Sequence, residues 1–203
     1  MTSGTVALSK RLSWLLRHGA GEAGLPMDQA GWSQVNDVLA VLGITKAQLD
    51  LAVANNDKGR LVVEGGRVRA CQGHSLANMP VTREALEASW QVVPPETPLW
   101  HGTKVAAVEG IARDGIVPGL RSHVHLAEAP DSRVGKRSLV DFLVEVSPAL
   151  LAQAGVAVFR SQNGVLLVRH VPRAAIAGLR PTSRAGLQAE KGARQLLGLA
   201  PTG

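Results

Sequence analysis

Leu8, Leu12, Leu15 and Leu16 recur at the spacing of one helical face, with Gly19 placed as a stop. A second helix is predicted from about Ser33, with Val35, Val38, Leu39 and Leu42 inward and Gly43 past its end. A third opens at Thr45, where Thr45 and Gln48 have capping-box spacing, and it buries Leu49 and Val53. The period then changes. Arg60 to Glu64 and Arg67 to Cys71 read as short strands joined by Gly65-Gly66, a two-residue hairpin turn. Three helices followed by a hairpin is the order of a winged helix.

Ser75 to Pro98 is mixed, with a short helix expected around Thr82 to Ser89 before Pro94-Pro95 and Pro98 break regular structure. The domain boundary is placed there: a first lobe and linker over 1–93, a second lobe over 94–182 and a tail over 183–203. In the second lobe Leu99 to His101 reads as a strand. Thr103 is positioned to cap a helix burying Val105, Val108 and Ile111, with Gly115 past its end. His123 to Leu126 is a short strand. From Leu139 to Val146 the alternation puts Val140, Phe142, Val144 and Val146 on one face and Asp141 and Glu145 on the other. Val156 to Arg160 and Val165 to Arg169 are strands around Ser161-Gln162-Asn163-Gly164. This half is a sheet-rich α+β domain. The tail, polar and rich in small residues, is expected to be frayed or helical and dispensable.

The chain has 203 residues and a net charge of +6, which points toward nucleic acid or phosphorylated ligands. Cys71 is the sole cysteine, so no intrachain disulfide forms and a reducing compartment fits. No apolar stretch is long enough to span a membrane, and the start lacks a signal-peptide run, so a cytoplasmic, monomeric protein is expected.

Direct reading of a DNA major groove is disfavoured. The helix from Thr45 to Asn55 carries only Lys46 as a base, opposed by Asp50, with Gln48 and Asn55 as the remaining readers. Arginines and histidines instead recur at turns and element ends. Each has an ordinary explanation alone: Arg17 and His18 complement a helix C-terminus, Arg60 is a strand-edge charge, Arg121 a loop charge. Together they suit an anionic substrate, because the guanidinium fork matches phosphate and histidine moves a proton near neutrality. His101, His123 and His125 could in principle bind zinc, but no Cys or acidic residue stands at ligand spacing beside them, so no metal is expected. No dinucleotide fingerprint or phosphate loop is present.

In order, Leu16-Arg17-His18, Asp57-Lys58-Gly59-Arg60, Gln72-Gly73-His74-Ser75, His101-Gly102-Thr103, Arg121-Ser122-His123-Val124-His125-Leu126 and Asn163-Gly164-Val165 resemble the RNA 2′-phosphotransferases of the Tpt1/KptA type, over roughly Val6 to Pro181. The resemblance implies an N-terminal winged-helix lobe that binds RNA, a C-terminal ADP-ribosyltransferase-like lobe that binds NAD⁺, and an active site between them. It implies metal-independent removal of an internal 2′-phosphate from a tRNA-like RNA of splice-junction type. That phosphate first displaces nicotinamide; the ribose 2″-hydroxyl then attacks it, leaving 2′-hydroxyl RNA and ADP-ribose 1″,2″-cyclic phosphate. Arg17, His18, Arg60 and Arg121 match the family's essential Arg-His-Arg-Arg set. His101, Gly102, Thr103 and His125 fall where the second lobe holds NAD⁺, and Asn163 and Gly164 match a further site-lining turn. Trp100, Leu61 and Ala127 depart from a frequent Tyr, Phe and Ser; an aromatic at 100 keeps stacking available.

Two other functions stand beside this one. An ADP-ribosyltransferase would stop after the first step, and a winged-helix regulator would bind nucleic acid without chemistry. NAD⁺ consumption separates the enzymes from the regulator, and loss of phosphate from RNA separates the enzymes from each other.

Overall fold

The computed structural model describes residues 3–56, 58–135 and 139–201, and its elements are mixed α+β. Contacts divide the chain into two compact units. The first gathers everything up to Gln91 together with Leu120–Ser122 and Ser161–Asn163; the second holds 92–119, 123–160 and 164–203. The division therefore differs from the expected one in two ways. It falls between Gln91 and Val92 rather than after 93, and two short stretches of the second half belong to the first unit.

In the first unit α1 (Ser3–Trp14) runs straight into a π-helical turn, Leu15–Gly19. Leu12, Leu15 and Leu16 are fully buried, as the leucine stripe requires. Gly19 does end the helix, but not through a left-handed cap, since Ala20 after it is still right-handed at φ −60° and ψ −44°. The glycine leaves room instead: a Cβ there would collide with the Trp14 indole ring. Ser33–Gln34 is a strand, β1, and α2 (Val35–Leu42) starts only after it. The helix predicted from Ser33 begins late because Ser33 pairs with Val68 and the Val35 amide donates to Gly66 O at 3.0 Å. Gly43 closes α2 at φ 62°, the left-handed position glycine suits.

Helix α3 (Lys46–Ala54) opens on the reciprocal capping box: Gln48 N donates to Thr45 Oγ1, and Thr45 N donates to Gln48 Oε1 at 2.8 Å. Leu49 and Ala52 are buried, whereas Val53 is only half-buried. Strands β2 (Leu61–Glu64) and β3 (Arg67–Ala70) form the hairpin, with Gly65 and Gly66 both at positive φ (54° and 75°) as a two-residue turn of this kind demands. The sheet order is β1-β3-β2, and α4 (Arg83–Ala88) follows under a Thr82 cap.

The second unit contains β4 (Gln91–Val92), at the division point of the chain, then β5 (Leu99–Thr103), α5 (Val108–Asp114), β6 (Val124–Leu126) and β7 (Phe142–Val146). After these come α6 (Pro148–Gln153), β8 (Phe159–Arg160), β9 (Leu166–Val168), β10 (Ile176–Pro181) and α7 (Arg184–Leu197). Two sheets form, β10-β7-β5 and β4-β8-β9-β6. Paired backbone bonds of 2.9 Å between Trp100 and Ala127 link β5 to the end of β6. Phe142, Val144 and Val146 enter the main core with Leu126, Leu166 and Leu179, as the alternation predicts.

Several expectations change here. Thr103 stays in β5 and caps nothing; the turn after it is held by Asp141, whose Oδ2 accepts from Val105 N at 3.2 Å. Val140 packs with Trp100, Ala127 and Leu143, not on the Phe142 face. The tail is a full helix of the second unit: Ala193 and Leu197 lie in the core, and Arg194 Nη2 donates to Leu179 O at 2.9 Å. Gly186 sits so close to the Asp141 carbonyl that a Cβ would clash.

Candidate active site

Arg17, His18, Arg60 and Arg121 all fall in the first unit, and one short segment, Cys71–Ser75, organises them. Cys71 N donates to Arg60 O at 2.8 Å, continuing the β2–β3 ladder past its end. Arg17 Nη2 reaches Gln72 Oε1 at 3.5 Å. Ser75 N donates to Arg17 O at 2.9 Å, its Oγ lies 2.8 Å from His18 Nδ1, and Ser75 pairs across an antiparallel bridge with Arg121. Ser122 N donates to His74 O at 2.8 Å, and Arg83 Nε donates to Ser122 O at 3.1 Å, so the Arg121 stretch is anchored on both sides. The π-turn suits this work, because its wider register carries Arg17 and His18 at the end of a helix whose leucines remain in the core.

The electrostatics follow from burial and like charge. Arg17 is pushed down to about 10, chiefly by burial and then by the neighbouring charges of Arg60 and Arg121. His18 is lowered from the usual histidine range, again first by burial and then by Arg17 and Arg121. No carboxylate is among the groups that shift either residue. A buried Arg17 crowded by two further arginines suits an external anion, and a lowered imidazole is neutral at pH 7 and able to take up a proton.

The residues expected to hold NAD⁺ are divided between the two units. His101, Gly102 and Thr103 lie on β5 and His125 on β6, in the second unit. His101 Nδ1 lies 3.1 Å from His125 O. A carbonyl only accepts, so Nδ1 carries the hydrogen in that contact. Gly164 also belongs to the second unit, at φ 80°. Asn163 belongs to the first: its Nδ2 donates to Lys58 O at 2.9 Å, and its Oδ1 accepts from Ser161 Oγ at 2.9 Å. Asn163 thus braces the turn that leads into Arg60, where Gly59 takes φ 54°. Asp57, the first residue of that motif, lies outside the described residues.

Trp100 is not available for stacking: it is 4% exposed, and the Arg180 guanidinium lies 4.4 Å from its ring centroid. Asp141, an outward position by the strand alternation, is a hub. Ser183 Oγ donates to it at 2.7 Å, which with Val105 N and Lys104 holds its carboxyl below the usual range. Gln72 and Ser75 were visible as part of a motif, but their partners Arg17, His18 and Arg121 are distant in sequence, so only the folded chain reveals their contacts. Among the described residues no group of three His, Cys, Asp or Glu side chains is placed to hold a metal ion, and no helix is long and apolar enough to cross a membrane.

Three arginines and a neutral imidazole on one frame have the chemistry that suits a phosphate-bearing ligand. Comparison with known proteins gives that class a family. Residues 3–170 match the pattern of the RNA 2′-phosphotransferase, Tpt1/KptA family. A probable RNA 2′-phosphotransferase of Pseudomonas savastanoi pv. phaseolicola is 36% identical over 182 residues, covering 85% of this chain and 93% of the relative. One from Streptomyces coelicolor is 37% identical over 177 residues, covering 83% and 92%, and one from Burkholderia lata is 36% identical over 176 residues, covering 81% and 86%. The chain belongs to the Tpt1/KptA family.

Proposed function

We propose that this chain removes an internal 2′-phosphate from RNA of the tRNA splice-junction kind, using NAD⁺ as co-substrate and no metal. The observation that carries the reading is the joint placement of Arg17, His18, Arg60 and Arg121 on the Cys71–Ser75 frame, without a carboxylate among the groups that shift Arg17 or His18. On this reading the first unit is a winged helix turned to RNA phosphate recognition, and the second is an ADP-ribosyltransferase-like domain. His101, oriented by its contact with His125 O, and the neighbouring Gly102, Thr103 and His125 would hold the dinucleotide. NAD⁺ supplies an electrophilic ribose carbon and a neutral leaving group.

The chain's own residues then account for the rest. Arg17, Arg60 and Arg121 hold the RNA 2′-phosphate and orient one oxygen for attack, a contribution of positioning. In the first step that oxygen bonds to the ribose carbon and nicotinamide leaves. In the second, the ribose 2″-oxygen bonds to phosphorus and the bond to the RNA 2′-oxygen breaks. The attacking hydroxyl loses a proton and the departing RNA oxygen gains one. His18, neutral before the step, is the group that handles the proton, while the arginines offset charge on the phosphoryl oxygens in place of a metal.

The test is incubation of a 2′-phosphorylated oligonucleotide with the full chain in EDTA. Conversion to 2′-hydroxyl RNA only when NAD⁺ is present supports the reading. Activity that EDTA abolishes and a divalent cation restores contradicts it, and RNA that keeps its phosphate with ADP-ribose attached would favour a transferase that stops after the first step.

A further inference from the structure

We propose that Ser75 is the positioning residue of His18: its hydroxyl holds the imidazole by Nδ1 and leaves Nε2 as the nitrogen that handles the proton. The inference rests on the assignment of His18 to proton transfer in RNA 2′-phosphate removal. Its own footing is geometric. The Ser75 Oγ to His18 Nδ1 distance is 2.8 Å, and among the described residues no hydrogen bond involves Nε2. Ser75 cannot drift, because its amide is bound to Arg17 O at 2.9 Å and its backbone pairs with Arg121. The hydroxyl is thus fixed by the same two residues whose charges face the imidazole, Arg17 and Arg121.

A serine is chemically apt here. A hydroxyl both donates and accepts, and its hydrogen rotates to suit. It donates to Nδ1 when the ring's proton is on Nε2, and accepts from Nδ1–H when Nε2 holds a lone pair or when both nitrogens are protonated. The ring therefore keeps one orientation before and after it takes a proton. A carboxylate in the same place would hold the ring charged and neutralise an arginine, undoing the setting that keeps His18 neutral. Neither Arg17 nor Arg121 can substitute, since a guanidinium offers donors only.

The test is a double-mutant cycle on the full chain with 2′-phosphorylated oligonucleotide and NAD⁺, beside nitrogen-15 spectra of the histidine rings. Ser75→Ala is expected to lower kcat roughly tenfold to a hundredfold, the range of one lost orienting hydrogen bond at a reacting group, with KM for both substrates nearly unchanged. In a His18→Ala background the same change should cost almost nothing, because residues that act through one another are not additive. Ser75→Thr, which keeps the hydroxyl, should restore turnover. An equal loss from Ser75→Ala in both backgrounds, or a threonine variant as slow as the alanine one, overturns the proposal. The spectra decide it without turnover: the His18 Nδ1 resonance should move in Ser75→Ala and stay in Ser75→Thr, and an unmoved resonance in Ser75→Ala overturns it. A wild-type chain with no activity but with that spectral change would instead count against the functional reading alone.

Discussion

Asn163 Nδ2 donates to Lys58 O at 2.9 Å, joining residues 105 positions apart. The bond holds the turn from which Arg60 projects, and Ser161 Oγ in turn fixes the amide by donating to its Oδ1. Asn163→Ala should therefore loosen the placement of Arg60 more than it weakens the fold. We expect kcat/KM for RNA to fall about tenfold, equivalent to roughly 1.4 kcal/mol, with unfolding free energy changed by no more than about 1 kcal/mol. Steady-state kinetics beside urea denaturation reads both. A large stability loss with unchanged kcat/KM would mean the bond serves packing alone.

Removal of α7 should unfold or strongly destabilise the second unit. Ala193 and Leu197 lie in its core, and Ser183 and Gly186 both pack on Asp141. Leu197→Ala alone is expected to cost about 2–5 kcal/mol as a core truncation. A chain ending at Thr182 that unfolds at the same urea midpoint and slope as the full chain would show that the helix adds nothing.

How much of this could be read in advance depends on how local each signal was. The Thr45–Gln48 cap, the Gly65-Gly66 hairpin and the alternation from Phe142 to Val146 were legible because the residues that make them are neighbours. Strand β1 has only Ser33 and Gln34 and exists because Val68 and Arg67 pair with it. Strand β10 is broken by a register shift between Ile176 and Gly178 and ends in a proline, so it shows no clean alternation. The inward positions of α7 include Gly186 and Ala193, too small to read as an apolar stripe. At the site the residue types were visible as arginines and histidines. The Ser75 contact, the grouping of Arg121 with Arg17 and the bond from Asn163 to Lys58 are set by distant parts of the chain.

The lowered His18 fixes the sign of one pH effect. In the unfolded chain this histidine takes a proton as pH falls below about 6.5, while burial, Arg17 and Arg121 keep it neutral to lower pH in the folded chain. The unfolded state then binds more protons, so this group makes stability fall with acidification from about 6.5 downward to the lowered native value. His18→Gln should flatten that portion of the stability curve. Identical slopes for wild type and variant in urea titrations from pH 5 to 7 would remove His18 from the account.

The two chemical steps should separate. In the proposed reaction the first would depend mainly on placing the phosphate oxygen, whereas the second would also need proton transfer and charge offset at phosphorus. His18→Ala and Arg60→Ala should slow the second step more, by about 10² to 10³, so that ADP-ribosylated 2′-phospho-RNA accumulates. Single-turnover gels resolve the slower-migrating species. Equal loss of both steps, with no such species at any time, would remove these two residues from the second step.

The central claim is that Arg17, Arg60 and Arg121 form one receptor for the RNA 2′-phosphate, and a binding comparison tests it most directly. Two oligonucleotides of identical sequence, one bearing an internal 2′-phosphate and the other a 2′-hydroxyl, are titrated against the full chain and against Arg17→Ala and Arg121→Ala variants at fixed salt. Wild type should prefer the phosphorylated strand by at least about tenfold, since charge-assisted contacts contribute roughly 1.5–3 kcal/mol each. Each variant should lose most of that preference while binding the 2′-hydroxyl strand nearly as well as wild type. Equal weakening toward both strands, with the preference intact, would contradict the assignment of these arginines to the 2′-phosphate.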